Sequence, residues 1–253
     1  MSESKLTQRI RAAGDRKALI PFLPAGFPGL DEFWDALEEL DKSGADVIEI
    51  GVPFSDPVAD GPVVEQASLE CLERGVNLEW ILKGLKQNRS RYESEIVLMG
   101  YYNPFYQYGL EKLAREAADA GVAGFIVPDL PFEESAEFRK ALDDRGLDLI
   151  PLVGLNTGDD RLKLYADGAR GFAYFVSVMG TTGAKLSGPD EIRDKLAVAR
   201  KAFDVPLALG FGISRPGDVE KFGEHLDAVV IGSALIKHLR GGGSCKDFME
   251  AWR

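Results

Sequence analysis

Two hydrophobic periods take turns along this chain. In Asp46–Gly51 (DVIEIG), Val47, Glu49 and Gly51 point one way and Ile48 and Ile50 the other, a period of two that marks a strand. Both faces are aliphatic except at Glu49, so the strand is expected to be buried on both sides, as in a parallel sheet. Similar short apolar runs predict strands at Ala18–Leu23, Ile96–Gly100, Gly124–Val127, Leu149–Val153, Gly171–Val176, Pro206–Leu209 and Ala228–Ile231. Between them the pattern turns helical: Glu32–Lys42, Pro62 to about Glu73, Leu78–Asn88, Leu110–Ala120, Glu133–Asp144, Asp160–Ala166, Asp190–Phe203, Pro216–Phe222 and Ser233–Leu239. Residues 2–13 carry Leu6, Ile10 and Ala13 on one stripe, a short amphipathic helix ahead of the first strand. Asp31 reads as the cap of the helix at Glu32 and Gly44 as its stop. The stretch YYNPFYQYG reads as a loop, and Lys246–Trp252 as a last turn.

Eight strand–helix units, with no break in composition between them, predict an α/β fold: a single (β/α)8 TIM barrel over residues 1–253 with an extra N-terminal helix. The rival is an open doubly wound sheet; it would leave edges, and no GxGxxG fingerprint follows the first strand. The net charge of −11 argues against a nucleic-acid surface but not against a small anion held by backbone amides. Two cysteines, the absence of a signal-type N-terminus and the absence of a long apolar run suit a reduced, cytoplasmic setting.

In a barrel the chemistry belongs on the loops that follow the strands. Glu49 lies inside its strand among aliphatics, where an isolated carboxylate is expensive unless paired, neutralised or used. Asp56 and Asp60 follow on a loop punctuated by Pro and Gly, although each alone reads as readily as a turn residue. Tyr101, Tyr102, Asn103 and Asp129 follow the third and fourth strands, and Tyr174 lies in the sixth, where a packing role is the commoner reading. The last three strands run into GTTG, GFGIS and GS. Their glycines let backbone N–H groups approach a ligand, and Ser233 opens a helix whose N-terminus favours anions. One side of the mouth is thus acidic and the other suits phosphate. No spacing of a metal site appears, and no strand-end lysine is flanked like a Schiff-base lysine.

Seven stretches, IPFLPAGFPG, GADVIEIGVPFSDPVADGPVVEQAS, MGYYNPFYQYG, GFIVPDLPFEES, GFAYFVSVMGTTGAK, LALGFGIS and VVIGSALIK, run in order from Ile20 to Lys237. With them the chain closely resembles the tryptophan synthase α subunit family. EIGVPFSDPVADGP is specific by itself, whereas GFGIS or IGSA is shared with other phosphate-binding barrels. The resemblance implies retro-aldol cleavage of indole-3-glycerol phosphate to indole and glyceraldehyde 3-phosphate, a carbon–carbon lyase step of tryptophan biosynthesis. It implies no cofactor in this subunit, with indole passed to a β subunit that carries pyridoxal phosphate in an αββα complex. By motif match Glu49 is the main acid/base residue and Asp60 the carboxylate near the indole N–H. Phe22, Tyr174, Thr182, Gly183, Phe211, Gly212, Gly232 and Ser233 fall at substrate positions. Pro53, Phe54, Asp56, Asn103, Pro104 and Phe105 fall at the partner interface.

The chemistry needs a proton delivered to indole C3 and a hydroxyl proton removed from the glycerol chain. One carboxyl group can do both if burial tunes it near neutrality. A second carboxylate answers the positive charge on the ring nitrogen, and the remote phosphate orients the reacting end. The loops Pro53–Asp60 and Val178–Ser187 are expected to close over substrate. A stand-alone lyase releasing free indole, a non-catalytic module that activates β, and another sugar-phosphate enzyme on the same barrel are the competing readings.

Overall fold

The computed structural model describes residues 3–176, 188–210, 213 and 215–252. Nine parallel segments form the sheet: β1 Ala18–Pro24, β2 Val47–Gly51, β3 Glu95–Met99, β4 Val122–Ile126, β5 Asp148–Leu149, β6 Leu152–Gly154, β7 Ala173–Val176, β8 Leu207–Gly210 and β9 Ala228–Ile231. Their order is β5-β4-β3-β2-β1-β9-β8-β7-β6. The two ends of that order, β5 and β6, are halves of the single fifth strand read from the sequence. Pro151 supplies no N–H to the ladder and splits it. Across the break Ile150 N–H still bonds Phe125 O at 2.8 Å, and Pro151 O accepts from Tyr174 N–H at 2.9 Å. The first half pairs with β4 and the second with β7, so the strand that interrupts the ladder also closes the barrel.

Carboxylates hold the strand starts at the bottom of the barrel. Asp46 accepts from Leu19 N–H at 2.9 Å while gripped by the Arg16 guanidinium at 2.6 and 2.7 Å. Asp227 accepts from Leu207 N–H at 2.7 Å and from Arg200 at 2.6 Å. The N-terminal helix, Lys5–Arg11, closes this end. Ser4 caps it and also donates to Asp148, and Thr7 Oγ1 donates to Gly171 O at 2.6 Å. Leu6 is wholly buried against Gly124 and Gly171, where an added Cβ would stand 3.0 and 3.2 Å from its Cδ1. Those glycines are the sockets of the plug.

Helices flank the sheet close to the expected boundaries, among them Glu32–Lys42, Pro62–Glu73, Leu78–Asn88, Leu110–Asp119, Pro189–Ala202 and Ser233–Arg240. Gly44, at φ +92°, ends the first of these as expected. Asp31 does not cap it: its backbone is already helical, and Phe33 N–H bonds Gly29 O instead. The larger difference lies after β3. Tyr102–Tyr108 is a helix, not a loop. Pro104 sits in its first turn, where no backbone N–H is needed. Asp129 accepts from the free Tyr102 N–H at 2.8 Å, and Gly109 at φ +92° ends the helix. Asp129, counted above among the mouth residues, is therefore a cap. No helix among the described residues is long and apolar enough to cross a membrane.

Candidate active site

Register brings the first two site residues together. Phe22 on β1 pairs with Glu49 on β2, and Glu49 pairs with Val97 on β3. Paired residues of a parallel ladder face the same side, so the Phe22 ring and the Glu49 carboxyl stand next to each other. Room for the ring comes from two strand ends. A Cβ on Gly51 would stand 2.6 Å from Phe22 Cζ, and one on Gly232 would stand 3.0 Å from its Cδ1. Gly210 does the same for Tyr174, whose hydroxyl would lie 2.1 Å from an added Cβ. These glycines are small because aromatic rings occupy the space beside them.

Glu49 is 2 % exposed, and its Oε2 has no hydrogen-bond partner among the described residues. Burial, reinforced by the nearby charge of Asp60, pushes its carboxyl up to about 8. Asp60 is half-buried on the loop after β2. Burial raises it to about 6; a hydrogen bond from Tyr101 opposes the rise, and Glu65 adds to it. The Tyr174 phenol is buried and held well above its ordinary value by desolvation first, then by Glu49 and Asp60. The electrostatics thus join Glu49, Asp60 and Tyr174, which come from β2, its following loop and β7. At neutral pH Glu49 holds its proton and Asp60 is mostly ionised. Two carboxyl groups pushed apart in this way can serve as an acid and a base within one site.

Gly232 and Ser233 begin the helix Ser233–Arg240, beside the Phe22 ring, where the N–H groups of a first turn have no partner within the helix. Thr182, Gly183, Phe211 and Gly212, and the loop Val178–Ser187, lie outside the described residues. No group of three or more His, Cys, Asp or Glu that could hold a metal occurs among the described residues.

The loop Pro53–Asp60 and the helix Tyr102–Tyr108 stand together at the mouth, tied by Tyr101. Phe54 packs on the Tyr101 ring at 5.3 Å, and Asp56 is exposed and accepts from the Ser55 hydroxyl. Asn103 is exposed and Pro104 half-buried. Phe105 does not belong to an outer surface. It is wholly buried, with Phe125 at 5.4 Å and Phe138 at 6.0 Å. Once these residues are helical, a 3.6-residue period turns Phe105 inward and Tyr106, 56 % exposed, outward. Pro53 is likewise buried. Val58, 64 % exposed, and the tilted Tyr102–Tyr106 pair are outward apolar groups here, and no local pattern in the sequence marks Val58 or Tyr106. Tyr101, for which the sequence suggests an interface or packing role, is buried, and its hydroxyl accepts from Ala59 N–H at 3.0 Å.

The family model described as tryptophan synthase alpha chain matches residues 9–248. The tryptophan synthase alpha chain of Solidesulfovibrio magneticus is 60 % identical over the whole of both chains. That of Maridesulfovibrio salexigens is 54 % identical, again over the whole of both. Among solved structures, a tryptophan synthase of Mycobacterium tuberculosis superposes with a TM-score of 0.89 at 32 % identity, covering 100 % of this chain and 99 % of that one. The alpha chain of Legionella pneumophila gives a TM-score of 0.85 at 30 % identity, with 99 % and 94 % covered. With a barrel of this topology and matches along its whole length, the chain belongs to the tryptophan synthase alpha chain family.

Proposed function

We propose that Glu49 and Asp60 divide the proton chemistry of the reaction of this family, the retro-aldol cleavage of indole-3-glycerol phosphate to indole and glyceraldehyde 3-phosphate. What carries the assignment is the Glu49 carboxyl, buried with one oxygen unpartnered among the described residues and pushed up to about 8 by that burial. A protonated carboxyl is the acid that indole C3 requires. Protonation at C3 leaves positive charge on the ring nitrogen, and the ionised Asp60 stabilises it, or takes the N–H proton and returns it as the carbon–carbon bond breaks. The Glu49 carboxylate left behind then takes the hydroxyl proton of the glycerol chain, the carbon–carbon bond breaks to the aldehyde, and indole regains its aromaticity. Electrons and protons balance within these groups and the substrate, so the reaction as written uses no cofactor.

Phe22 and Tyr174 line the indole end in this reading. Gly232 and Ser233, with Thr182, Gly183, Phe211 and Gly212, hold the phosphate end. The chain acts as one catalytic domain over residues 1–253, in the cytoplasm. Its partner is a tryptophan synthase β subunit in an αββα complex, with pyridoxal phosphate in β. The face it offers is Phe54, Asp56, Asn103 and Pro104, now joined by Val58 and Tyr106. That two neighbours among the solved structures are named tryptophan synthase of Mycobacterium tuberculosis, without restriction to the alpha chain, supports a β partner. The test is Glu49→Gln: indole release should fall by at least a hundredfold, while equilibrium dialysis still finds bound indole-3-glycerol phosphate. Wild-type turnover in that variant would remove Glu49 from the chemistry.

A further inference from the structure

A cavity of about 340 Å³ lies between the strand break at Pro151 and the helices Ala136–Asp143 and Asp159–Asp167. Its size falls in the range of small-molecule sites. The charge in it is Arg139, half-buried on the first of those helices. The guanidinium lies over the Phe132 ring at 4.3 Å from the centroid. Its Nη2 donates to Ser135 Oγ at 3.3 Å. Ser135 is buried and gives its own proton to Phe132 O at 2.6 Å. A Cβ added to Gly168 would stand 2.4 Å from Arg139 Nη1, so the other end of the fork rests against backbone. Asp143, four residues on, pairs with Arg170 at 3.7 Å instead. Among the described residues Arg139 has the one hydrogen bond to Ser135 and no ion pair.

Stacking on Phe132 accounts for one face of the guanidinium and leaves most of its edge donors unmatched. Burial pulls Arg139 below its ordinary value, with Asp143 opposing, as expected of a cation desolvated without a partner. The other polar groups around it are already matched. The Tyr165 hydroxyl accepts from Arg161 Nε at 2.8 Å, and Arg161 pairs with Glu133 at 2.8 Å. The remaining wall is apolar: the Phe132 and Tyr165 rings, 5.2 Å apart and inclined by 36°, with Ile150 and Leu152. Asp129 also lines the cavity, and its charge disfavours a ligand with more than one negative charge. A planar fork with free donors suits a carboxylate. We propose that this cavity binds a small monocarboxylate with an aromatic or branched apolar body, the carboxylate on Arg139 and the body against Phe132 and Tyr165. The site is separate from Glu49 and Asp60 and does not rest on the reaction assigned to them.

The test uses 3-phenylpropionate and 4-methylpentanoate with the full wild-type chain, followed by equilibrium dialysis and by nuclear Overhauser contacts from the bound probe. Saturable binding of at least one probe, with contacts to the Phe132 and Tyr165 rings, is expected. The neutral 3-phenylpropionamide should bind about tenfold more weakly or worse than its acid, a comparison that needs no variant. Arg139→Gln should weaken the acid by about tenfold or more and leave the amide unchanged, and Arg139→Lys should fall between. Indole release per folded molecule should be unchanged in both variants.

No saturable binding of either acid up to about 10 mM would overturn the proposal, since small ligands of this size reach that affinity in a formed site. Equal binding of acid and amide would remove the role of the guanidinium. Contacts confined to Phe22 or Tyr174 would move the probe to the candidate active site and overturn it as well. Displacement of the probe by added β subunit would give Arg139 to a carboxylate of the partner, which also contradicts a small-ligand site.

Discussion

Glu49→Gln should stabilise the fold, and by an amount that grows with pH. In the unfolded chain Glu49 titrates at its ordinary 4.5, and in the folded protein at about 8. The folded state therefore keeps a proton that the unfolded state gives up between those values. A carboxyl raised in this way contributes against folding as pH climbs: the loss of stability begins near 4.5, grows through neutrality and levels off above 8. At 1.36 kcal/mol per unit, the penalty is ~1 kcal/mol at pH 5, ~3 kcal/mol at pH 7 and ~5 kcal/mol once both states are ionised. Glutamine does not titrate and carries none of this. Burying its amide adds an offset, but the same offset at every pH. Urea unfolding of both proteins at pH 5, 7 and 8 should thus show the variant gaining on wild type by ~2 kcal/mol between pH 5 and pH 7. Asp60 titrates in both proteins and largely cancels. A difference that stays flat from pH 5 to pH 8, or shrinks, would refute the account of Glu49 as a desolvated carboxyl.

Other consequences follow from the same geometry. The free chain should show a bell-shaped kcat/KM, with an acidic limb near 6 from Asp60 and a basic limb near 8 from Glu49. Glu65→Gln removes a charge that raises Asp60, so the acidic limb should move to lower pH. Gly51→Ala places a Cβ 2.6 Å from the Phe22 ring. Overpacking of ~1–3 kcal/mol and a displaced ring should raise the KM for indole-3-glycerol phosphate, read by steady-state kinetics. Leu6→Ala empties the socket at the barrel bottom and should lower the urea-unfolding free energy by ~3 kcal/mol, leaving turnover per folded molecule unchanged.

The strands were legible because each is a short aliphatic run, and the conspicuous carboxylate was legible because Glu49 interrupts one. What the sequence did not disclose depended on contacts between distant segments. YYNPFYQYG has the aromatic and Pro-rich look of a loop. Its helix rests on Asp129 supplying a cap from another strand end and on Phe105 finding Phe125 and Phe138. As a helix the stretch turns Phe105 inward and Tyr106 outward. The split at Pro151 was hidden because the residues on either side read as one apolar run. Gly51, Gly210 and Gly232 look like ordinary strand-end glycines until the Phe22 and Tyr174 rings are seen beside them. The hydrogen bond from Ala59 N–H to the Tyr101 hydroxyl joins residues on two loops, and no local pattern encodes it.

Indole release from indole-3-glycerol phosphate, by the purified chain alone and with a tryptophan synthase β subunit added, tests the central claim most directly. Slow release alone and a large rise on adding β are expected, because the two carboxyl groups proposed to react share one site and the loop that holds Asp60 borders the proposed partner face. Fast release that β leaves unchanged would make the chain a stand-alone lyase. No release in either condition, with substrate still bound, would contradict the assignment of Glu49 and Asp60 to catalysis.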